Sequence, residues 1–306
     1  MVDLSVNLCG KLLSNPVIPS SGTFGYGYGY SRFYDLDCLG SMAIKTTTPK
    51  ERFGNPTPRI AEVDNGLLLS IGLQNPGVEK VLSRELVELK KHFHKPIIAN
   101  ISGFCEKDYL QCIEAMEGED SIGWFEINIS CPNVKGGLSI GSSVKEAENL
   151  TRQIKKRTDK PVLMKLSPNV TDITEIARAC EAGGADGLSL INALLGMRID
   201  LKTRRPVLAK KIGGYAGPAV KPVALRMVWQ VYEAVKIPIV GIGGIRTAQD
   251  VLEYILAGAT AVEIGSANLV DPLVCRKIID ALPGEMQRYG ISSFDQIRGM
   301  AHEQQG

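Results

Sequence analysis

The chain has 306 residues, a formal net charge of +2 and 44% apolar residues. That is enough for a full buried core, either as one barrel of ~250 residues or as a pair of smaller domains. Acids and bases are mixed without a basic block, which argues against a nucleic-acid partner, and no apolar run reaches the ~18 residues of a membrane span.

Residues 4–13 read as a short hairpin, Leu4–Leu8 and Lys11–Leu13 about a Cys9-Gly10 turn, capping one end of the domain. Short apolar strands then alternate with longer amphipathic segments. The strands are expected at Val17–Ser21, Met42–Thr46, Ile97–Ile101, Trp124–Ile129, Val162–Leu166, Gly187–Ile191, Ile237–Gly241 and Ala261–Ile264. Apolar residues at three- and four-residue spacing predict helices at Val78–His92, Asp108–Met116, Val144–Arg157, Asp172–Ala182, Pro222–Val235, Ala248–Ala257 and Asp271–Gln287. Thr171 and Thr247 are the expected N-caps of the fourth and sixth of these. Strand–helix units repeated in this way predict an α/β fold, a (β/α)8 TIM barrel, as one domain over residues 1–306. Long insertions at 47–76, 132–143 and 192–221 all follow strand ends, which places them on the catalytic face. Residues 132–143 are the expected lid.

The seven cysteines (Cys9, Cys38, Cys105, Cys112, Cys131, Cys180 and Cys275) are scattered and include no Cys-x-x-Cys pair. Such usage fits reduced thiols in a cytosol better than a disulfide framework or a zinc site. His92 and His94 sit in a loop-like stretch and His302 in the tail, so no metal site is expected. The start of the chain lacks the basic-then-apolar pattern of a signal peptide. A soluble cytoplasmic protein is expected.

Chemistry concentrates in Trp124-Phe-Glu-Ile-Asn-Ile-Ser-Cys-Pro-Asn133. Phe125, Ile127 and Ile129 alternate with Glu126, Asn128 and Ser130, and Cys131-Pro132 then ends the strand, because proline cannot continue a ladder. A solitary cytosolic cysteine is usually a small buried hydrophobe, so Cys131 draws its interest from its neighbours. Gly241-Ile-Gly-Gly-Ile245 and Glu263-Ile-Gly-Ser266 follow the seventh and eighth strands, the usual phosphate site of this barrel. Lys45 and Lys165 lie at apolar strand ends. Either a partner stabilises each charge, or the stem lines the rim and the ammonium reaches water. Two such lysines favour an anionic ligand over the mouth. Asn100, Asn128, Asn133 and Asn192, also at strand ends, offer donors and acceptors suited to an imide-like ring, although asparagine is equally a turn residue.

These pieces together resemble the class 1 dihydroorotate dehydrogenases, most closely the NAD-linked class 1B catalytic subunit. The resemblance is carried by Ser20-Ser-Gly-Thr-Phe-Gly25, Ala43-Ile-Lys-Thr-Thr47, Ile71-Gly-Leu-Gln-Asn-Pro-Gly-Val-Glu-Lys80, Asn128-Ile-Ser-Cys-Pro-Asn-Val-Lys135, Leu190-Ile-Asn192, Gly196-Met-Arg-Ile-Asp200 and Gly214-Tyr-Ala-Gly-Pro-Ala-Val-Lys-Pro-Val223, with both glycine turns. It runs in order over nearly the whole chain.

The resemblance implies oxidation of dihydroorotate to orotate in pyrimidine synthesis, on FMN contacted by Ser21, Lys45, Thr46, Asn100, Asn128, Lys165, Ile191, Gly217, Gly243, Gly244, Gly265 and Ser266. It implies Cys131 as the base. It places substrate among Lys45, Leu69, Ser70, Ile71, Gly72, Leu73, Asn128, Asn133, Asn192 and Ala193. It implies a homodimer core paired with an iron–sulfur flavoprotein subunit that carries FAD and a [2Fe–2S] cluster and passes electrons to NAD.

Three places depart from the family pattern. Leu69 stands where the family carries an asparagine near the substrate carboxylate. Ala193 stands where it carries threonine or serine. The loop after Asn133, Val-Lys-Gly-Gly, is one residue short. Two alternatives therefore stand beside the main reading. One is an FMN enzyme for a related dihydropyrimidine without the carboxylate. The other is a flavin-binding paralogue deficient in turnover.

Overall fold

Apolar strands that are buried on both faces need helices outside them, and this chain supplies both in alternation. The computed structural model describes residues 2–130 and 140–303. Cys131, Asn133 and most of the expected lid at 132–143 lie outside the described residues. In chain order the strands are β1 (Val6–Leu8), β2 (Lys11–Leu13), β3 (Val17–Pro19), β4 (Ile60–Val63), β5 (Gly66–Leu69), β6 (Ile97–Ile101), β7 (Ile122–Asn128), β8 (Val162–Lys165), β9 (Gly187–Leu190), β10 (Leu194–Gly196), β11 (Ile199–Asp200), β12 (Arg205–Pro206), β13 (Gly213–Ala216), β14 (Ile239–Ile242) and β15 (Ala261–Ile264).

Seven of these form one parallel sheet in the order β3-β15-β14-β9-β8-β7-β6. The segment after Ser41 joins its two edges. Ala43 N–H donates to Pro19 O at 3.0 Å on one side, while Ile44 N–H donates to Ile98 O at 3.0 Å and Thr47 N–H to Asn100 O at 2.9 Å on the other. The expected strand Met42–Thr46 is thus present as backbone pairing, with parallel bridges at Ala43 and Thr47 in place of a continuous ladder. The result is the α/β barrel.

Helical runs pack outside it at Val78–Leu89, Glu106–Met116, Val144–Lys155, Ile173–Ala182, Lys221–Ala234, Ala248–Leu256 and Val274–Arg288. The first is wound as a π-helix over Val81–Glu85. Thr247 caps its helix reciprocally with Asp250, as expected. The N-cap of Ile173–Ala182 is Asp172, not Thr171: the Asp172 carboxylate accepts from Thr174 N–H at 2.8 Å. A carboxylate there satisfies a free helix amide and also meets the positive helix end. Trp124, Phe125 and Ile127 of β7 are fully buried in the main apolar core. The β1–β2 hairpin covers the N-terminal end of the barrel, where Trp124 Nε1–H donates to Leu8 O at 3.1 Å.

Insertions 47–76 and 192–221 do more than extend the mouth. They combine as an antiparallel sheet, β10-β13-β5-β4, with Leu69 opposite Gly214 and Leu194 opposite Tyr215. A smaller ribbon, β11–β12, projects from it. Among the described residues no helix is long and apolar enough to cross a membrane.

Candidate active site

At the C-terminal end of the barrel three cavities run together. The first, of about 490 Å³, and the second, of about 120 Å³, share Ala216, Gly217, Gly244, Ile245 and Ser266. The third, of about 480 Å³, shares Leu69, Asn192 and Ala193 with the second. They form one cleft, with the glycine turns at one end and a polar chamber beneath the antiparallel sheet at the other.

The glycine turns are shaped by close approach. Gly243 has φ +135° and Gly244 φ +70°, and a Cβ on Gly244 would lie 2.8 Å from Lys221 N and Cβ. The side chains around them hold the turn. Tyr254 O–H donates to Gly243 O at 2.7 Å, Arg246 N–H donates to the Asp250 carboxylate at 2.8 Å, and Lys221 bridges to the same carboxylate at 2.6 Å. The turn after β14 and the Gly217 turn are therefore tied through Lys221 and Asp250.

Eight of the twelve residues expected at the cofactor line the middle cavity: Ser21, Lys165, Ile191, Gly217, Gly243, Gly244, Gly265 and Ser266. Thr46 joins them through a 3.1 Å Oγ1···Oγ contact with Ser21. Asn128 lines the polar chamber instead. Asn100 lies deeper, fully buried, and its Oδ1 has no partner.

The two lysines behave differently. Lys45 has no carboxylate within ion-pair distance among the described residues. Burial, with the nearby Arg59 charge, pulls its pKa down to about 8. Lys165 is the opposite case and does not sit with its ammonium in water. It lies 2.9 Å from Glu263 and 3.3 Å from Glu126, and both glutamates have 0% exposure.

Adjacent barrel strands bring these groups to one level. Asn100 stands opposite Glu126, and Lys165 opposite Ser189. Asn100 Nδ2–H donates to Glu126, Ser189 O–H donates to Glu126 at 2.6 Å, and Ser20 O–H donates to Glu263 at 2.7 Å. Burial opposes the charge of Lys165, but the two carboxylates outweigh it and raise its pKa. Burial likewise opposes ionisation of Glu126, and Lys165 and the donors overcome it. Glu263 is pushed up to about 8 by burial and by the Glu126 charge.

Sequence reasoning overlooked both glutamates. Glu126 and Glu263 each interrupt an apolar strand, the same anomaly that marked the lysines, so the signal was present.

The polar chamber gathers Leu69, Ser70, Ile71, Gly72, Leu73, Asn128, Asn192 and Ala193, eight of the ten residues named from the resemblance as substrate contacts. Lys45 is not among its lining residues. Ser130 links two of the carboxamides: its N–H donates to Asn128 Oδ1 at 3.2 Å and its Oγ accepts from Asn192 Nδ2. Asn55, Ser167 and Asn169 line the chamber without having been foreseen. Asn55 holds Ser70 through Nδ2–H to O at 2.9 Å, and Asn169 holds Ala193 through Nδ2–H to O at 3.0 Å. Asparagine in a loop is ordinary turn chemistry, so neither residue carried a signal.

Comparison with known proteins agrees with this geometry. A family model described as dihydroorotate dehydrogenase matches residues 3–286. A protein of Enterococcus faecalis called dihydroorotate dehydrogenase B (NAD(+)), catalytic subunit, is 53% identical over 295 residues, 96% of this chain and 95% of its own length. Proteins of the same name from Bacillus mycoides and Bacillus cytotoxicus are 52% and 51% identical over 302 residues, 98% of this chain and 97% of theirs.

Proposed function

The chain belongs to the dihydroorotate dehydrogenase family and carries out its reaction, the oxidation of dihydroorotate to orotate; we propose that it does so on FMN, with Cys131 as the base. The observation that carries the proposal is the continuous cleft. It runs from the glycine turns past Lys165 to the carboxamide chamber.

The residues fit FMN. Gly243 and Gly244 pack against Ala224 and Lys221 as only glycine can, and both line the middle cavity, where backbone N–H groups of such a turn can cradle a phosphate. Among the described residues Asn100 Oδ1 is a buried acceptor without a donor, and Lys45 is a cation without a counter-charge. Gly243, Gly244, Gly265 and Ser266 would hold the phosphate, with Ser21, Lys45, Thr46, Asn100, Asn128, Lys165, Ile191 and Gly217 around the remainder. When bound, FMN supplies the hydride acceptor.

The chain's own groups do the rest. The C5 proton of dihydroorotate is weakly acidic because a carbonyl is adjacent, and the Cys131 thiolate removes it. Asn128, Asn133 and Asn192 hold the pyrimidine, while Leu69, Ser70, Ile71, Gly72, Leu73 and Ala193 wall the chamber. Lys45 would offer its charge to the carboxylate, and Lys165 would offer its ammonium to negative charge on the flavin. One domain spanning the chain contains all of this.

The relatives are named as catalytic subunits, which implies a partner subunit. In the NAD-linked reading that partner is an iron–sulfur flavoprotein with FAD and [2Fe–2S], joined to a homodimer of this chain. Nothing in the comparisons favours a dihydropyrimidine lacking the carboxylate or a paralogue without turnover.

The test is anaerobic mixing of the yellow protein with dihydroorotate, following loss of the flavin band. Cys131→Ala should keep its FMN and slow bleaching by about 10²–10⁴-fold. Unchanged bleaching in that variant would remove Cys131 as the base.

A further inference from the structure

We propose that Glu126 and Glu263 share a single proton and, through Lys165, act as a positioning pair that keeps the floor of the flavin site free of net charge. The proposal rests on the FMN reading of the cleft and adds two residues to it.

Two carboxyls and one ammonium lie together, the glutamates at 0% exposure and Lys165 at 4%. With both carboxyls ionised the cluster would hold an uncompensated negative charge in the barrel interior, which is strongly unfavourable. One proton makes it neutral.

The hydrogen bonds say where the proton sits. Glu126 accepts from Asn100, Ser189 and Lys165, as an ionised carboxylate should. Glu263 receives Ser20 and Lys165 on Oε2 alone, and its Oε1 has no donor among the described residues. A buried anionic oxygen without a donor is costly, and a proton on that carboxyl removes the charge. Lys165 Nζ reaches both carboxyls, at 3.3 Å from Glu126 and 2.9 Å from Glu263, so the pair and its proton are gathered about one cation.

Among the described residues the titratable groups facing one another here are Glu126, Glu263 and Lys165. Ser20, Asn100 and Ser189 complete the shell and stay neutral. Lys165 lines the middle cavity, and both carboxyls lie behind it. A reduced flavin bound there would carry negative charge, and a second carboxylate beside Lys165 would oppose it. The shared proton leaves the Lys165 ammonium aimed and charged without that opposition.

Two measurements test this. The first is infrared spectroscopy of the flavin-free protein at pH 7. It should show a buried protonated carboxyl, lost in Glu263→Gln and also in Glu126→Gln, since either variant leaves one carboxylate to match Lys165. Absence of that band from the wild-type protein overturns the proposal whether or not the cleft binds FMN.

The second measurement is the midpoint potential of bound FMN. Glu263→Gln replaces a neutral group by a neutral group, so the preference for reduced over oxidised FMN should change less than tenfold, 29.6 mV for two electrons. In the wild-type protein that preference should weaken above pH 8 as the shared proton leaves, beyond the flavin's own pH dependence. This break should be absent from Glu263→Gln. A rise of tenfold or more in Glu263→Gln, or a break that survives the substitution, would mean that Glu263 was an anion from the start.

Discussion

Lys45→Met should stabilise the ligand-free protein while damaging its chemistry. Methionine keeps the length of the stem and removes a charge that has no carboxylate partner. The pKa of Lys45 falls from 10.5 to about 8 through burial and the neighbouring Arg59 charge. At about 1.4 kcal/mol for each pH unit, holding that ammonium in the fold costs about 3 kcal/mol at pH 7. The folded pKa lies below the unfolded one, so between pH 8 and 10.5 the unfolded chain binds more protons and stability rises with pH. The cost should therefore shrink to about 1.4 kcal/mol at pH 9.5. Urea unfolding of FMN-stripped wild-type and variant protein at the two pH values measures it, and the gain from Lys45→Met should be halved at the higher pH. A variant less stable than wild type, or a gain indifferent to pH, would refute the reasoning. In the proposed reading an anionic ligand would supply the counter-charge and offset this cost.

Other outcomes follow from the same geometry. Leu69→Asn restores a donor at the junction of the two inner cavities and should tighten orotate at least tenfold, given about 1.5–3 kcal/mol for a hydrogen bond to a charged group. Ala193→Thr should act in the same direction but more weakly; flavin spectral titration with orotate measures both. Gly244→Ala, at φ +70° and 2.8 Å from Lys221, should lower the flavin-to-protein ratio after gel filtration and cost at least about 1 kcal/mol of stability. Gly118→Ala, where a Cβ meets nothing within 4 Å, is the control that should retain its flavin.

Legibility in the sequence tracked burial. Ile97–Ile101 and Ala261–Ile264 are strands over the bounds expected, because a strand covered on both faces needs an apolar residue at nearly every position. The antiparallel sheet over the mouth escaped notice for the converse reason. Gly213-Gly-Tyr-Ala216 reads as a turn, and Leu194–Gly196 is only three residues, so the pairing of each is decided by partners far along the chain. At the site, glycines and asparagines announced the cleft, but the seating of Lys165 between Glu126 and Glu263 depends on which strands become neighbours. Spacing within a single strand does not contain that information. Cys131 and Asn133 remain assignments of sequence, outside the described residues.

The sheet over the mouth also orders events in time. Its central contact joins Leu69 to Gly214, so no part of the chamber roof is complete until the chain has been made through β13. Closing so long a loop has to precede any reward from the pairing. Most barrel strands are joined to sequence neighbours and face no such delay. During synthesis the roof over the chamber must therefore wait for most of the barrel, and selectivity for the pyrimidine is a late acquisition of each new molecule.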